Sequence, residues 1–340
     1  MQDHNTTGQD YARREHFRYT GPIFDFHAHV TTTSEAEKPD GPVGGHGSEG
    51  RTRAARLMLE VGKEFGIVRT LSMCAANDIA PLREAVGDGL LFNAMLNKKP
   101  DESDDVAFAN LDAFLEAGIV AVKLWSAPRG HERGLTVDAP WRIECLKRAR
   151  AAGIRNVMVH VGDPDIWWTR AYADTAKFGT KPDQYVPFRR MMELFPDMTW
   201  IGAHMGGDPE HPDRLQKLLE EYPQLYLDTS ATKWQVREVS RHPGAVKTLV
   251  EAFPDRFFFG TDLVTRHSLT REHYESRYWC QRTLWETEWQ GDAPIGDADY
   301  VAGDGEPEKP FLRGVGLSAD TLDKVMWGNA AKLLGLKRPL

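Results

Sequence analysis

Cysteine is scarce in this chain of 340 residues: Cys74, Cys145 and Cys280 stand far apart and form no C-x-x-C. An odd, scattered set makes a poor disulfide framework and points to a reducing, cytoplasmic compartment. Long apolar runs are missing too. None approaches the roughly 20 residues of a membrane-spanning helix, and Met1 to Tyr19 holds no apolar stretch of the secretory-signal kind. Basic residues are in deficit, with 42 Lys and Arg against 50 Asp and Glu and a formal net charge of -8. That balance argues against a nucleic-acid or acidic-membrane partner. The densest run of charge, Lys98 to Asp105, is short and reads as a solvated loop.

What the chain does have is alternation. After a polar arm (residues 1–20), short apolar runs recur at Ile23–His27, Val68–Met73, Leu90–Met95, Val120–Leu124, Asn156–His160, Thr199–His204, Leu225–Asp228 and Arg256–Gly260. Several are almost unbroken in apolar residues, as strands covered on both faces must be. Amphipathic stretches such as Val106–Ala117, Trp141–Ala152 and Gly244–Ala252 lie between them. Strand alternating with helix is the pattern of parallel βα units, and eight units predict a closed barrel in a single domain, residues 21–340. Three connections, after predicted strands 1, 5 and 8, are too long for turns and read as lids: Thr31–Gly50, Gly162–Val186 and Leu263–Arg313.

The polar residues at the strand ends carry the chemistry. Phe24-Asp25-Phe26-His27-Ala28-His29 closes the first run. Residues i and i+2 of a strand share a face, so His27 and His29 project together, a geometry that suits two nitrogen ligands of one metal ion. Predicted strand four offers Lys123, strand five His160, strand six His204 and strand eight Asp262. Each alone has a bland reading: a hydrogen-bonded histidine, a turn-capping aspartate, a paired lysine. Together they converge on one mouth of a barrel, and buried imidazoles and a buried ammonium need a reason to be there.

These motifs, with Phe259-Gly260-Thr261-Asp262 and the closing Trp327-Gly328-Asn329-Ala330-Ala331-Lys332-Leu333-Leu334-Gly335, resemble the amidohydrolase superfamily. The closer resemblance is to the amidohydrolase-related group that includes aminocarboxymuconate semialdehyde decarboxylase. It spans Ile23 to Leu336 and implies an α/β fold, a distorted (β/α)8 barrel, with one divalent metal, usually zinc. Carried over, it makes His27, His29, His160 and Asp262 the metal ligands. Asp262 also takes the proton of the attacking water, and His204 polarises substrate or water. A strand-four lysine is carboxylated in binuclear superfamily members; Lys123, at that place, is expected as a free ammonium facing the substrate.

The expected reaction is hydrolysis of a small-molecule C–N or C–O bond, since Zn²⁺ lowers the pKa of its water from 15.7 to about 7. The alternative is nonoxidative decarboxylation; a binding protein on an inactive barrel is the reading outside enzymology. Trp125, Trp167 and Trp168 follow predicted strands and are expected at the substrate, as are Arg237 and Arg266, because arginine clamps carboxylates. An aromatic or unsaturated carboxylate and a homodimer complete the expectation.

Overall fold

The computed structural model describes residues 16–31, 47–265, 270–297, 299 and 310–339. Along the chain run β1 (Ile23–Val30), α1 (Gly47–Glu64), β2 (Ile67–Cys74), α2 (Ile79–Val86), β3 (Leu90–Met95), α3 (Asp104–Glu116), β4 (Ala121–Trp125), α4 (Pro140–Ala151), β5 (Asn156–His160), α5 (Asp165–Thr169), α6 (Thr175–Phe178), α7 (Tyr185–Leu194), β6 (Thr199–Gly202), α8 (Pro212–Glu221), β7 (Leu225–Asp228), α9 (Thr232–Val239), α10 (Pro243–Ala252), β8 (Phe257–Phe258), β9 (Leu263–Thr265), α11 (Arg271–Glu286), β10 (Gln290–Asp292), β11 (Phe311–Arg313), α12 (Ala319–Asp323) and α13 (Asn329–Leu334). The fold class is α/β, that of a distorted (β/α)8 barrel, and all eight expected runs contain a strand. Two compact units make up the chain. One holds the described residues up to Ser72, Ala80–Leu90 and those from Thr229 on; the other holds Met73–Ile79 and Leu91–Asp228.

In the second unit β3, β4, β5, β6 and β7 lie side by side in chain order. The pairs from β3 to β7 are parallel, with Lys123 opposite Met158 and Trp125 opposite His160. Every residue of β5 is buried, which is why its sequence does not alternate. Helix α8 turns Leu215, Leu218 and Leu219 inward, the i, i+3, i+4 stripe of an amphipathic helix. From α4 the buried Arg142 donates to the carbonyls of Leu96 (3.2 Å), Trp125 (2.9 Å) and Leu135 (2.7 Å), stapling the ends of β3 and β4 to the loop that follows. No carboxylate among the described residues offsets its desolvation, and burial pushes its guanidinium down to about 9.

In the first unit β1 pairs in parallel with β9, Ala28 opposite Leu263 and His29 opposite Val264. Phe26 stacks on Phe258 at 4.1 Å between ring centroids. The insertion after strand 8 forms α11, which is buried from Ser276 through Glu286 despite its many polar residues. They find partners in the helix, in the arm and elsewhere in the unit: Gln281 donates to Thr229 O at 3.1 Å, and Arg282 pairs with Glu286, whose carboxylate accepts from the main-chain N–H groups of Arg18 and Tyr19, each at 2.9 Å. Most of the insertion after β1, and residues 1–15 of the arm, lie outside the described residues. No described helix is long and apolar enough to cross a membrane.

Candidate metal centre

Three ligand groups meet in the first unit. His29 Nε2 lies 3.1 Å and His27 Nε2 3.4 Å from the same Asp262 oxygen, Oδ1. The alternation of β1 places both rings on one face, with centroids 5.5 Å apart. Ser230 Oγ sits 3.0 Å from His27 Nδ1 and leaves Nε2 as the nitrogen turned to Asp262. Asp25, fully buried between Phe24 and Phe26, fixes the other side. Its carboxylate accepts from the Thr261 N–H (3.0 Å) and hydroxyl (2.6 Å), while Asp262 N–H donates to His27 O at 2.8 Å. Gly260 is needed here, since a Cβ would press on the β-carbons of both Ser230 and His27.

The second unit contributes another pair. His160 Nδ1 and His204 Nε2 are 3.2 Å apart in a buried setting. The far nitrogen of His160, Nε2, is 2.8 Å from Asp163 Oδ1, and Tyr172 donates its hydroxyl to Asp163 Oδ2 at 2.5 Å. Burial works to raise the Asp163 carboxyl, but the His160 imidazole and the Tyr172 hydroxyl outweigh it and hold it below the ordinary range. His204 N–H donates to Asp228 Oδ1 at 2.8 Å. Strand β6 ends two residues short of the expected His204 because the backbone turns left-handed there, with φ of 59° at His204 and 52° at Met205. Asp262 also has a positive φ, 57°. Left-handed backbone at non-glycine residues is costly and concentrates at functional sites. Gly206 and Gly207 continue the turn, and a Cβ on Gly207 would overlap the Gly162 carbonyl of the β5 loop.

Lys123 is 1% exposed on β4. Trp125, Trp167 and Trp168 come together in the second unit. Trp125 lies edge-on to His160 at 6.3 Å, Trp167 and Trp168 flank Tyr172 at 5.9 and 5.1 Å, and Trp168 Nε1 donates to the Asp163 carbonyl at 3.3 Å. Exposed Arg129 lays its guanidinium 5.5 Å over Trp125 and 5.0 Å over Trp167. Arg237, on α9 of the first unit, is buried and paired with Glu238 and Asp297. Arg266 lies outside the described residues. Asp25, Asp163, Tyr172, Asp228 and Ser230 escape the sequence reading; only Asp25, between two strand phenylalanines, carried a signal, that of a charge inside a buried strand.

A further cluster joins the β5 and β6 loops. Asp165, Asp208 and His211 offer oxygen and nitrogen atoms within 4.8 Å of one another. They already hold a cation of the chain's own: Lys181 Nζ is 2.8 Å from Asp165, 2.7 Å from Asp208 and 3.3 Å from Glu210.

Comparison with known proteins agrees with this fold. A 5-carboxyvanillate decarboxylase from Sphingomonas paucimobilis superposes with a TM-score of 0.54 at 12% identity, over 94% of this chain and 100% of that one. An organophosphorus hydrolase variant from Deinococcus radiodurans gives a TM-score of 0.53 at 12% identity, over 98% of each chain. At such identity the likeness is one of fold. No curated protein matches the chain. The amidohydrolase family model matches residues 24–336. With that match over nearly the whole chain and a His/Asp ligand cluster in place, the chain belongs to the amidohydrolase family.

Proposed function

We propose that the protein is a metal-dependent hydrolase of a small-molecule amide, lactone or ester. The observation that carries this reading is the convergence of His27 Nε2, His29 Nε2 and the Asp262 carboxylate, with the His27 ring oriented by Ser230. Imidazole nitrogens and a carboxylate are the donor set of a catalytic zinc site, so the residues fit the ion. In this reading His27, His29, His160 and Asp262 hold one divalent ion, zinc by preference. When bound, such an ion acts as a Lewis acid and lowers the pKa of a water to about 7. Asp262, 28% exposed, takes the proton of the attacking water and returns it to the leaving group. His204 donates to the developing oxyanion. Lys123 stays an uncarboxylated ammonium and binds an anionic group of the substrate, and Trp125, Trp167 and Trp168 flank its flat body. The reading sets the protein in the aminocarboxymuconate semialdehyde decarboxylase-like group, as a cytoplasmic homodimer; its three free cysteines suit a reducing compartment.

Decarboxylation of an aromatic or unsaturated carboxylate is the second reading, favoured by Arg129. Its exposed guanidinium is held between two indole faces, and a flat, oriented guanidinium suits a carboxylate.

Elemental analysis of protein purified without chelator tests both. About one divalent ion per chain is expected, lost in His27→Ala; a carboxylated Lys123 would instead bring two ions and a carbamate bridging them. No metal in the wild-type protein would sink both readings. A screen of lactones, amides, esters and aromatic carboxylates, scored for ¹⁸O uptake from water and for CO₂ release, separates hydrolase from decarboxylase. On the substrate so found, Trp167→Ala and Trp168→Ala should keep the metal, and at least one should raise KM or lower kcat. Wild-type kinetics in both would reduce the pair to packing.

A further inference from the structure

We propose that Asp163 is a positioning residue for the metal: clamped by Tyr172, it holds His160 in the tautomer that carries its lone pair on Nδ1, the nitrogen that would ligate an ion. The proposal rests on the metal-dependent reading above.

A neutral imidazole has one N–H and one lone pair, and a carboxylate only accepts. With Asp163 Oδ1 2.8 Å from Nε2, the ring proton is fixed on Nε2 and the lone pair falls to Nδ1. Nδ1 is the nitrogen that faces His204 Nε2. A carboxylate behind a ligating histidine fixes both tautomer and ring orientation and raises the basicity of the ligand.

The relay is built for that task. Asp163 is 0%, Tyr172 1% and His160 6% exposed, so water does not compete for these hydrogen bonds. The Tyr172 hydroxyl occupies the second carboxylate oxygen at 2.5 Å and stops the carboxylate from rotating. The Tyr172 ring is in turn boxed by Trp167, Trp168 and Phe178 at 5.9, 5.1 and 5.1 Å. Behind Asp163, the close approach of Gly207 to the Gly162 carbonyl pins the loop that carries it. The aromatic insertion after β5 therefore supports a ligand as well as flanking a substrate.

The test is zinc affinity by chelator competition, together with ¹⁵N–¹H spectra of the histidine rings in metal-free protein. Wild type should show His160 as the Nε2–H tautomer. Asp163→Asn presents an amide that accepts or donates, and should mix the tautomers and weaken zinc binding about 10–100-fold. Tyr172→Phe should weaken it less, and Asp163→Glu should recover part of the loss. Wild-type zinc affinity with an unchanged His160 tautomer in folded Asp163→Asn would overturn the proposal. If that variant does not fold, wild-type affinity and tautomer in Tyr172→Phe would do so. His160→Ala separates the two levels: zinc retained there at wild-type affinity would overturn the ligand role of His160, and the Asp163 proposal with it.

Discussion

Asp262→Asn is expected to lower turnover about 10²–10⁴-fold, the usual worth of a general acid–base group, and to release the metal, with the fold intact. Asparagine is the right replacement because Asp262 sits at φ 57°. Asn tolerates that left-handed backbone, whereas Ala would add about 1–2 kcal/mol of steric cost and confuse the result. The main-chain N–H to His27 O bond survives the change, so the turn that carries residue 262 should hold. What is removed is the charge that faces His27 and His29. The measurement is metal content and melting temperature alongside kinetics on a substrate from the screen. Full activity with full metal occupancy would remove Asp262 from both of its proposed roles.

Lys181→Met should cost about 3–5 kcal/mol of stability, the penalty for breaking a buried ion pair by removing one partner. Methionine keeps the length of the side chain but takes from Asp208 and Glu210, 3% and 9% exposed, the cation they share, and leaves Asp208 with Arg214 at 3.8 Å. Burial works to lower the Lys181 ammonium, but Asp208 and Glu210 outweigh it and hold it above 10.5. The stability it contributes is therefore complete at neutral pH and is lost only as pH rises through that raised value. Asp208 is already held above 3.8 by burial, with Lys181 opposing the shift, so its removal lets Asp208 rise further. A carboxyl raised in the folded state favours folding at pH below its unfolded value and loses that effect as pH rises. The gap between variant and wild type should thus be widest near neutrality and narrow toward pH 4. Chemical unfolding of both proteins across that range checks it, and a constant gap of under about 1 kcal/mol, the worth of a surface pair, would show that the cluster is solvated.

The barrel class was legible because it rests on local signals. Strands covered on both faces read as unbroken apolar runs, and β3, β5 and β7 lie where such runs occur. The pairing of His27 with His29 was legible because a strand repeats every two residues, whatever the rest of the chain does. The burial of helix α11 was not. The connection that holds it reads as a lid with a helix over Arg271–Trp289, and a helix is found there, yet its residues from Ser276 to Glu286 are buried, with Glu286 meeting both Arg282 and the arm, some 270 residues earlier in the chain.

The sequence by itself determined the class of fold, the order of the strands and the residue types at their ends. The tertiary structure alone decided which nitrogen each histidine presents and which charges meet. Ser230 reaches His27 across 203 positions and Thr261 reaches Asp25 across 236. It also decided that Arg237 is buried with Glu238 and Asp297, and that the Asp165–Asp208–His211 cluster holds Lys181. The physical reason is range. Side-chain period and backbone propensity act over a few residues and can be read along the chain, whereas hydrogen bonds and ion pairs act over about 3 Å of space between residues that only folding brings together.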